Sequence, residues 1–311
     1  MAEILEPTKE GILRAAELLK EGGIVAFPTE TVYGMGCDAT NEKALKRLYE
    51  VKGRSPDKPF IVGVWSKDIV SKIAEVDDRA IKMVDLYFPG PLTIVLRSKG
   101  VLPQILSPEG KIAVRMPAHH VPLGLMEKLE RPIVVPSANI SGRPSLTRWE
   151  HVVEELGERI DAVIKGECRV GIESTIVDLT VNPARILRVG AIDVGRIRKH
   201  LEVVVESKKD TYTLSCPVYV FTGDRAKEKI KEFAEEMKRK GKKVAVIARE
   251  KITDDSIKIG KSPEEYSSKL FDAVREAESK RPDLIVIEGI MEHEGIMDRL
   301  LRLAGERVFR V

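Results

Sequence analysis

The sequence predicts an α/β protein of two domains, a mixed sheet with helices followed by a smaller doubly wound unit. Apolar runs of strand length alternate with amphipathic stretches along the chain, but over the first two thirds they lack the strict β-α-β order of an all-parallel sheet. The apolar pattern lapses at E-S-K-K-D-T-Y-T-L-S-C, Glu206 to Cys216, and becomes regular beyond it. The length, 311 residues, is long for one core and comfortable for two. The expected boundaries are 1–205 for the first domain, 206–216 for a linker and 217–311 for the second.

Thr8 to Glu21 has the apolar spacing of a helix: Thr8 can cap it, Ile12, Leu13, Ala16 and Leu19 share a face, and Gly22-Gly23 stop it. Ile24 to Phe27 is a short buried strand that Pro28 ends, because proline cannot donate to a sheet ladder. Asn41 caps a helix carrying Leu45, Leu48 and Val51. A strand is expected from Phe60 to Trp65, and a helix from Asp77 to Pro89-Gly90-Pro91. Leu92 to Leu96, Ile112 to Val114 and Ile133 to Val135 follow as strands. Thr147 and Glu150 have capping-box spacing, so a helix is expected to start there. Ala162 to Ile164, Thr175 to Leu179 and Ala184 to Val189 complete the first sheet.

In the second domain Val218 to Phe221, Val244 to Ala248 and Leu284 to Ile287 read as strands and Val308 to Val311 as an edge strand. Helices are expected over Asp224 to Lys240, from Ser262-Pro263 onward and over Ile296 to Ala304. There is no G-x-G-x-x-G and no P-loop, so no motif supports nucleotide binding in that domain.

The chain is 43% hydrophobic and 32% charged, as a globular protein is, and its net charge of +3 gives no strong case for nucleic acid or membrane. Cys37, Cys168 and Cys216 are far apart, which suggests neither a disulfide framework nor a zinc site. His119-His120, beside Pro117 and Pro122, has no carboxylate or Cys at ligand spacing and reads as a loop pair. No apolar run approaches a membrane span and the N-terminus lacks signal-peptide features, so a soluble cytoplasmic protein is expected.

Five segments carry chemistry. Thr29-Glu30-Thr31 and Tyr33 present hydroxyls, a carboxylate and a phenol at a strand end, where open α/β sheets bind ligands, although a polar turn has the same local pattern. Lys52-Gly53-Arg54-Ser55-Pro56-Asp57-Lys58 sets three cations around Gly and Pro, suited to a polyphosphate or a nucleic-acid backbone, or else to a solvated basic turn. Arg115, after strand residues and fixed before Pro117, can grip a carboxylate or phosphate, or form a surface ion pair. Pro136-Ser137-Ala138-Asn139-Ile140-Ser141-Gly142-Arg143-Pro144-Ser145 offers small donors close to backbone, as a nucleotide pocket requires. Glu173-Ser174-Thr175 and Arg188 bring a further hydroxyl pair and cation. Together these favour an anionic, polyhydroxyl substrate such as a nucleotide, with catalysis by positioning and charge stabilisation. No metal cage and no single catalytic base stands out.

In this order the segments F-P-T-E-T-V-Y-G, K-G-R-x-x-x-K-P, V-R-M-P, P-S-A-N-I-S-G-R-P-S and E-S-T-I-V-D resemble the Sua5/YrdC/YwlC family of threonylcarbamoyl-AMP synthases. The remainder, with G-I-M-D-R-L-L-R-L-A at 295–304, is similar to the longer Sua5 branch. The resemblance implies a YrdC-like twisted mixed sheet with a concave, positively charged site, and a C-terminal Rossmann-like domain. It implies a nucleotidyltransferase that joins L-threonine, bicarbonate and ATP, with Mg²⁺, into threonylcarbamoyl-AMP and pyrophosphate for the t6A modification of tRNA. tRNA or a downstream threonylcarbamoyl-transfer complex would be partners. By resemblance Thr31, Arg115 and Ser137 belong to L-threonine, and Arg54, Lys58, Asn139, Thr147, Ser174, Arg188 and the linker's Tyr212 to ATP.

Two departures stand out. The family linker usually contains S-P-G-M and H-Y-x-P, where this chain has S-K-K-D and L-S-C-P; in the linker as a whole only Ser207, Tyr212 and Pro217 match. Some relatives carry a His five residues after the position of Lys58, where this chain has Gly63. Two other readings remain at this level. One is a double-stranded RNA or tRNA binding module using the same basic concavity. The other is a carbamoyl-transfer enzyme, although the Cys pattern of the hydrogenase-maturation proteins that share this domain is absent.

Overall fold

The computed structural model describes residues 1–207 and 210–311; Lys208 and Lys209, within the expected linker 206–216, lie outside the described residues. The chain divides into two compact units. The first holds Met1–Ser141, Ser145–Arg169 and Glu173–Ser207. The second holds the described residues 210–311 together with Gly142–Pro144 and Val170–Ile172.

The first unit contains two sheets rather than the single one expected. The smaller has strand order Glu3–Leu5, Ala162–Ile164, Val25–Phe27, Gly34–Gly36. The larger has seven strands, in the order Val203–Val205, Ala184–Arg188, Thr175–Asp178, Leu92–Arg97, Lys111–Arg115, Val62–Gly63, Ile133–Val134. It is mixed: Leu92–Arg97 runs parallel to Thr175–Asp178 and antiparallel to Lys111–Arg115.

The helices follow their local signals. Thr8 accepts the amide of Gly11 at 3.2 Å, Asn41 those of Lys43 and Ala44, and Asp77 that of Ala80 at 2.8 Å, so each helix starts where a side chain can take an orphan N–H. Gly53, at φ +58°, ends the second of these helices, Glu42–Lys52, in the left-handed conformation a side chain disfavours. The helix expected from Thr147 begins at Trp149 instead. Arg148 pairs with Glu167 across an antiparallel bridge, which holds its backbone extended and removes the capping register of Thr147. Glu150 accepts from Arg148 rather than reaching back to a cap. The strand expected over Phe60 to Trp65 reduces to Val62–Gly63, with a single backbone hydrogen bond on either side, from Val135 N to Ile61 O and from Val64 N to Arg115 O.

Apolar packing joins these layers. Leu19, Phe27, Leu125, Met126 and Ile164 close one core; Leu45, Leu48, Phe60, Ile94, Val114 and Val177 belong to the other. The strand Gly34–Gly36 runs so close to its neighbours that side chains are excluded. A Cβ on Gly36 would lie 2.0 Å from the Val134 carbonyl oxygen, and one on Gly34 would lie 2.9 Å from the Phe27 ring. Gly36→Ala is therefore expected to destabilise the protein by about 1–3 kcal/mol through overpacking against backbone. Denaturant unfolding measures this, and a stability equal to the parent protein would refute it.

In the second unit every strand pairing is parallel. The order is Ile257–Lys258, Val244–Ala248, Leu284–Glu288, Val218–Thr222, Val308–Arg310. Helices Ala226–Arg239, Pro263–Ser279 and Glu294–Ala304 connect them. The first of these starts two residues later than expected, after a turn at Gly223. Among the described residues no helix is long and apolar enough to cross a membrane.

Candidate functional site

A cavity of about 220 Å³ opens in the first unit, large enough for an amino-acid-sized ligand. It is lined from both sheets. Thr29, Thr31 and Tyr33 follow the strand Val25–Phe27, Arg115 ends Lys111–Arg115, Ser137 follows Ile133–Val134, and Arg188 ends Ala184–Arg188. Pro28 releases the first of these strands from its ladder, so the threonines turn into the cavity instead of extending the sheet.

The hydroxyls have a fixed sense. Thr29 Oγ1 donates its single hydrogen to the Val32 carbonyl at 2.6 Å. The 2.9 Å contact between the two threonine hydroxyls must then be donated by Thr31. Arg115 Nη2 donates to Thr31 Oγ1 at 2.8 Å, so this oxygen keeps one lone pair for a ligand. Arg115 Nε reaches the Gly90 carbonyl at 3.3 Å, while Nη1 has no partner among the described residues. Arg115 also lies 2.8 Å from a carboxylate oxygen of Glu30, both side chains being buried. That approach lies off the hydrogen-bonding axis, and neither Glu30 oxygen accepts a hydrogen bond.

Ser137 sits on a loop held from beneath by Lys52. The basic segment was expected to hold its three cations together beside exposed backbone, but Lys52 turns inward and is 2% exposed. Its amine donates to the carbonyls of Ser137 at 2.5 Å and Asn139 at 2.8 Å, and its own carbonyl accepts from Ser141. Burial, with the charge of Arg54 adding to it, pulls the Lys52 amine down to about 7. Two acceptors match the two N–H bonds of a neutral amine, which fits that direction.

Arg54 lines the cavity with its guanidinium tied to its own loop, Nε to the Lys58 carbonyl at 2.8 Å and Nη2 to that of Pro59 at 3.2 Å. It stands 5.5 Å over the Phe60 ring, which stacks on Tyr49. Burial lowers its pKa. Arg188 donates to both the hydroxyl and the carbonyl of Ser174 at 2.9 Å, and Ser174 in turn contacts the Thr93 hydroxyl at 2.8 Å. Gly190 permits this closeness, since a Cβ there would lie 2.4 Å from the Glu173 carbonyl oxygen.

Thr31, Arg54, Arg115, Ser137 and Arg188 thus share one cavity. Thr147 and Ser174 are buried, and the side-chain amide of Asn139 donates to the Ile140 carbonyl; none of the three is among the lining residues. Lys58 is exposed. Tyr212 is described with the second unit, where its ring meets Phe271 edge-on at 5.9 Å and its amide donates to the Arg302 carbonyl. Phe60, Ile61, Val135 and Leu187 add apolar walls that no polar motif announces. Gly63 pairs with both Arg115 and Ile133, and a Cβ there would lie 2.8 Å from Val135 Cγ1, so position 63 has no room for a side chain.

Among the described residues no three His, Cys, Asp or Glu side chains gather to hold a metal ion. Glu173 is the carboxylate among the lining residues, and it accepts from Ser145 Oγ at 2.5 Å. That donor set fits a cation carried mainly by phosphate and water with one carboxylate nearby, and does not fit an all-protein cage.

The Sua5/YciO/YrdC profile, described as "Telomere recombination", matches residues 17–190, and the profile of the threonylcarbamoyl-AMP synthase C-terminal domain matches 203–305. A threonylcarbamoyl-AMP synthase of Pyrococcus abyssi is 39% identical over 96% of this chain and 95% of its own length. One from Bacillus subtilis is 32% identical over 96% and 94%. The crystal structure of P. abyssi Sua5 complexed with L-threonine matches at a TM-score of 0.94 and 36% identity, covering all of this chain and 99% of that one.

Proposed function

The chain belongs to the Sua5/YciO/YrdC family, and from that premise we propose that it is a threonylcarbamoyl-AMP synthase acting on L-threonine and ATP. The observation that carries this reading is the cavity that joins Arg115, with Nη1 unengaged, to Thr31, Ser137, Arg54 and Arg188. Such a wall suits a ligand with a carboxylate at one end and phosphates at the other.

In this reading Arg115 takes the threonine carboxylate, and Thr31 Oγ1 and Ser137 orient the amino acid. The amine displaces hydroxide from bicarbonate, forming a carbamate with net loss of water. A carbamate oxygen then attacks the α-phosphorus of ATP and the bond to pyrophosphate breaks. No side chain needs to form a covalent intermediate; the protein supplies orientation and fixed positive charge. Arg54, tied to its own loop, and Arg188, tied to Ser174, keep their guanidinium groups in place before the phosphates arrive, so little reorganisation accompanies the charge shift.

Mg²⁺ would enter with ATP and neutralise phosphate charge, with Glu173 as the nearby carboxylate. We assign Lys58, Asn139, Thr147, Ser174 and Tyr212 to the nucleotide side, Tyr212 belonging to the linker segment 206–216 between a catalytic domain, 1–205, and a C-terminal domain, 217–311. The product would serve t6A formation in tRNA, in the cytoplasm, through tRNA or a threonylcarbamoyl-transfer complex.

Incubation with ATP, Mg²⁺, bicarbonate and L-threonine should release pyrophosphate and accumulate an acyl-adenylate, and omitting threonine should abolish both. Pyrophosphate release that ignores threonine, from protein shown to be folded, would refute the assignment.

A further inference from the structure

Glu30 stands between the two pocket threonines yet is not itself a lining residue. Its side chain is 9% exposed, and both carboxylate oxygens are buried without a hydrogen-bond donor. A buried carboxylate normally collects N–H or O–H donors, because leaving it bare is costly. This one is left with a single off-axis cation, Arg115 Nη2 at 2.8 Å. Two further polar side chains, Cys168 and His119, lie within its electrostatic reach. The Cys168 thiol is pushed up to about 12, by burial first and by the charge of Glu30 as well, and so stays neutral. His119, also within electrostatic reach of Glu30, is pulled down to about 4, by burial first and by His120 next. Its Nδ1 accepts the Val121 amide, which places the ring proton on Nε2.

The electrostatics at this end of the cavity are therefore those of a fixed pair, the cation of Arg115 and the anion of Glu30. A ligand bearing only a carboxylate gains the attraction of Arg115 and meets the repulsion of Glu30. A ligand bearing an ammonium beside its carboxylate matches both members. In a water-poor wall such charges act over several ångströms without touching. The lone pair left on Thr31 Oγ1, bonded to the same arginine nitrogen, gives the ammonium a direct acceptor.

We infer that Glu30 is a specificity-determining positioning residue: its charge, paired with that of Arg115, selects a zwitterionic α-amino acid over the same molecule without its amino group. The inference rests on the amino-acid assignment of the cavity made above. It is distinct from a structural role, which would affect both kinds of ligand alike.

Calorimetric titration of the full chain with L-threonine and with 2,3-dihydroxybutanoate, its hydroxy-acid counterpart, tests this. The parent protein should prefer threonine at least tenfold. In Glu30→Gln, which keeps the shape and removes the charge, that preference should fall about tenfold, through weaker threonine binding and equal or tighter binding of the hydroxy acid. Glu30→Asp should keep most of the preference. An unchanged ratio in Glu30→Gln, or equal loss of both ligands, overturns the inference. So does parity between the two ligands in the parent protein, a result that needs no variant to fold. Absence of threonine binding to the parent protein would instead sink the assignment of the cavity.

Discussion

Arg115→Ala is expected to lower kcat/KM for L-threonine by roughly 10- to 150-fold, the range that corresponds to losing a charge-assisted hydrogen bond of about 1.5–3 kcal/mol. The carboxylate it would hold does not react, so the contact is present in ground and transition states alike and the loss should fall mainly on KM. Arg115→Lys should recover only part of it, because an ammonium cannot reach Thr31, Gly90 and a ligand at once as the guanidinium fork does. The alanine variant should also lose stability, since it leaves the Glu30 carboxylate buried without its cation, a change that costs about 3–5 kcal/mol where such pairs are broken. Arg115→Ala combined with Glu30→Gln separates the two effects: the melting temperature should recover while KM stays high. Unaltered kcat/KM in the folded single variant would mean that the carboxylate binds elsewhere.

Lys52→Met should act through the loop it braces. The methionine fills the space but strips the Ser137 and Asn139 carbonyls of their donor, and the buried Asn139 acceptor left bare costs about 1–3 kcal/mol, the part-buried Ser137 one less. The expected result is a lower unfolding free energy together with a raised KM for threonine, because Ser137 is no longer held against the cavity. The pH dependence gives a second signature. The folded state holds this amine at about 7, below its ordinary 10.5, so between those values the unfolded chain binds a proton that the native protein does not. Stability from this group therefore rises with pH from about 7 to 10.5, and is lowest below 7, where the amine is charged in both states. Lys52→Met should flatten that slope. Stability curves that stay parallel across the window would show that Lys52 keeps its ordinary proton affinity.

Much of the fold is written locally. Thr8, Asn41 and Asp77 announce helix starts because a cap needs only one side chain and the next few amides. The placing of Thr31, Arg115, Ser137 and Arg188 around one cavity was legible because each stands at or just past the end of a recognisable strand. What escaped depends on partners distant in sequence. Arg148 is held extended by Glu167, which spoils a capping box that Thr147 and Glu150 spell correctly. Lys52 has the charge of a phosphate ligand, but its direction is set by carbonyls more than eighty residues away. Phe60 and Val135 line the cavity as apolar walls, and an apolar residue carries no local mark of whether it faces a core or a ligand.

The thiol of Cys168 has a practical consequence for chemical work on this protein. A thiol attacks alkylating agents and peroxides as thiolate, and a group held near 12 is ionised to only about one part in ten thousand at pH 8. Cys37, fully buried and likewise pushed up to about 12, is equally inert. Iodoacetamide labelling of Cys37 would then clock the opening of the fold, whereas the half-buried Cys168 would label slowly for want of thiolate. Covalent inhibitors designed against cysteine would meet a poorly reactive thiol in Cys168.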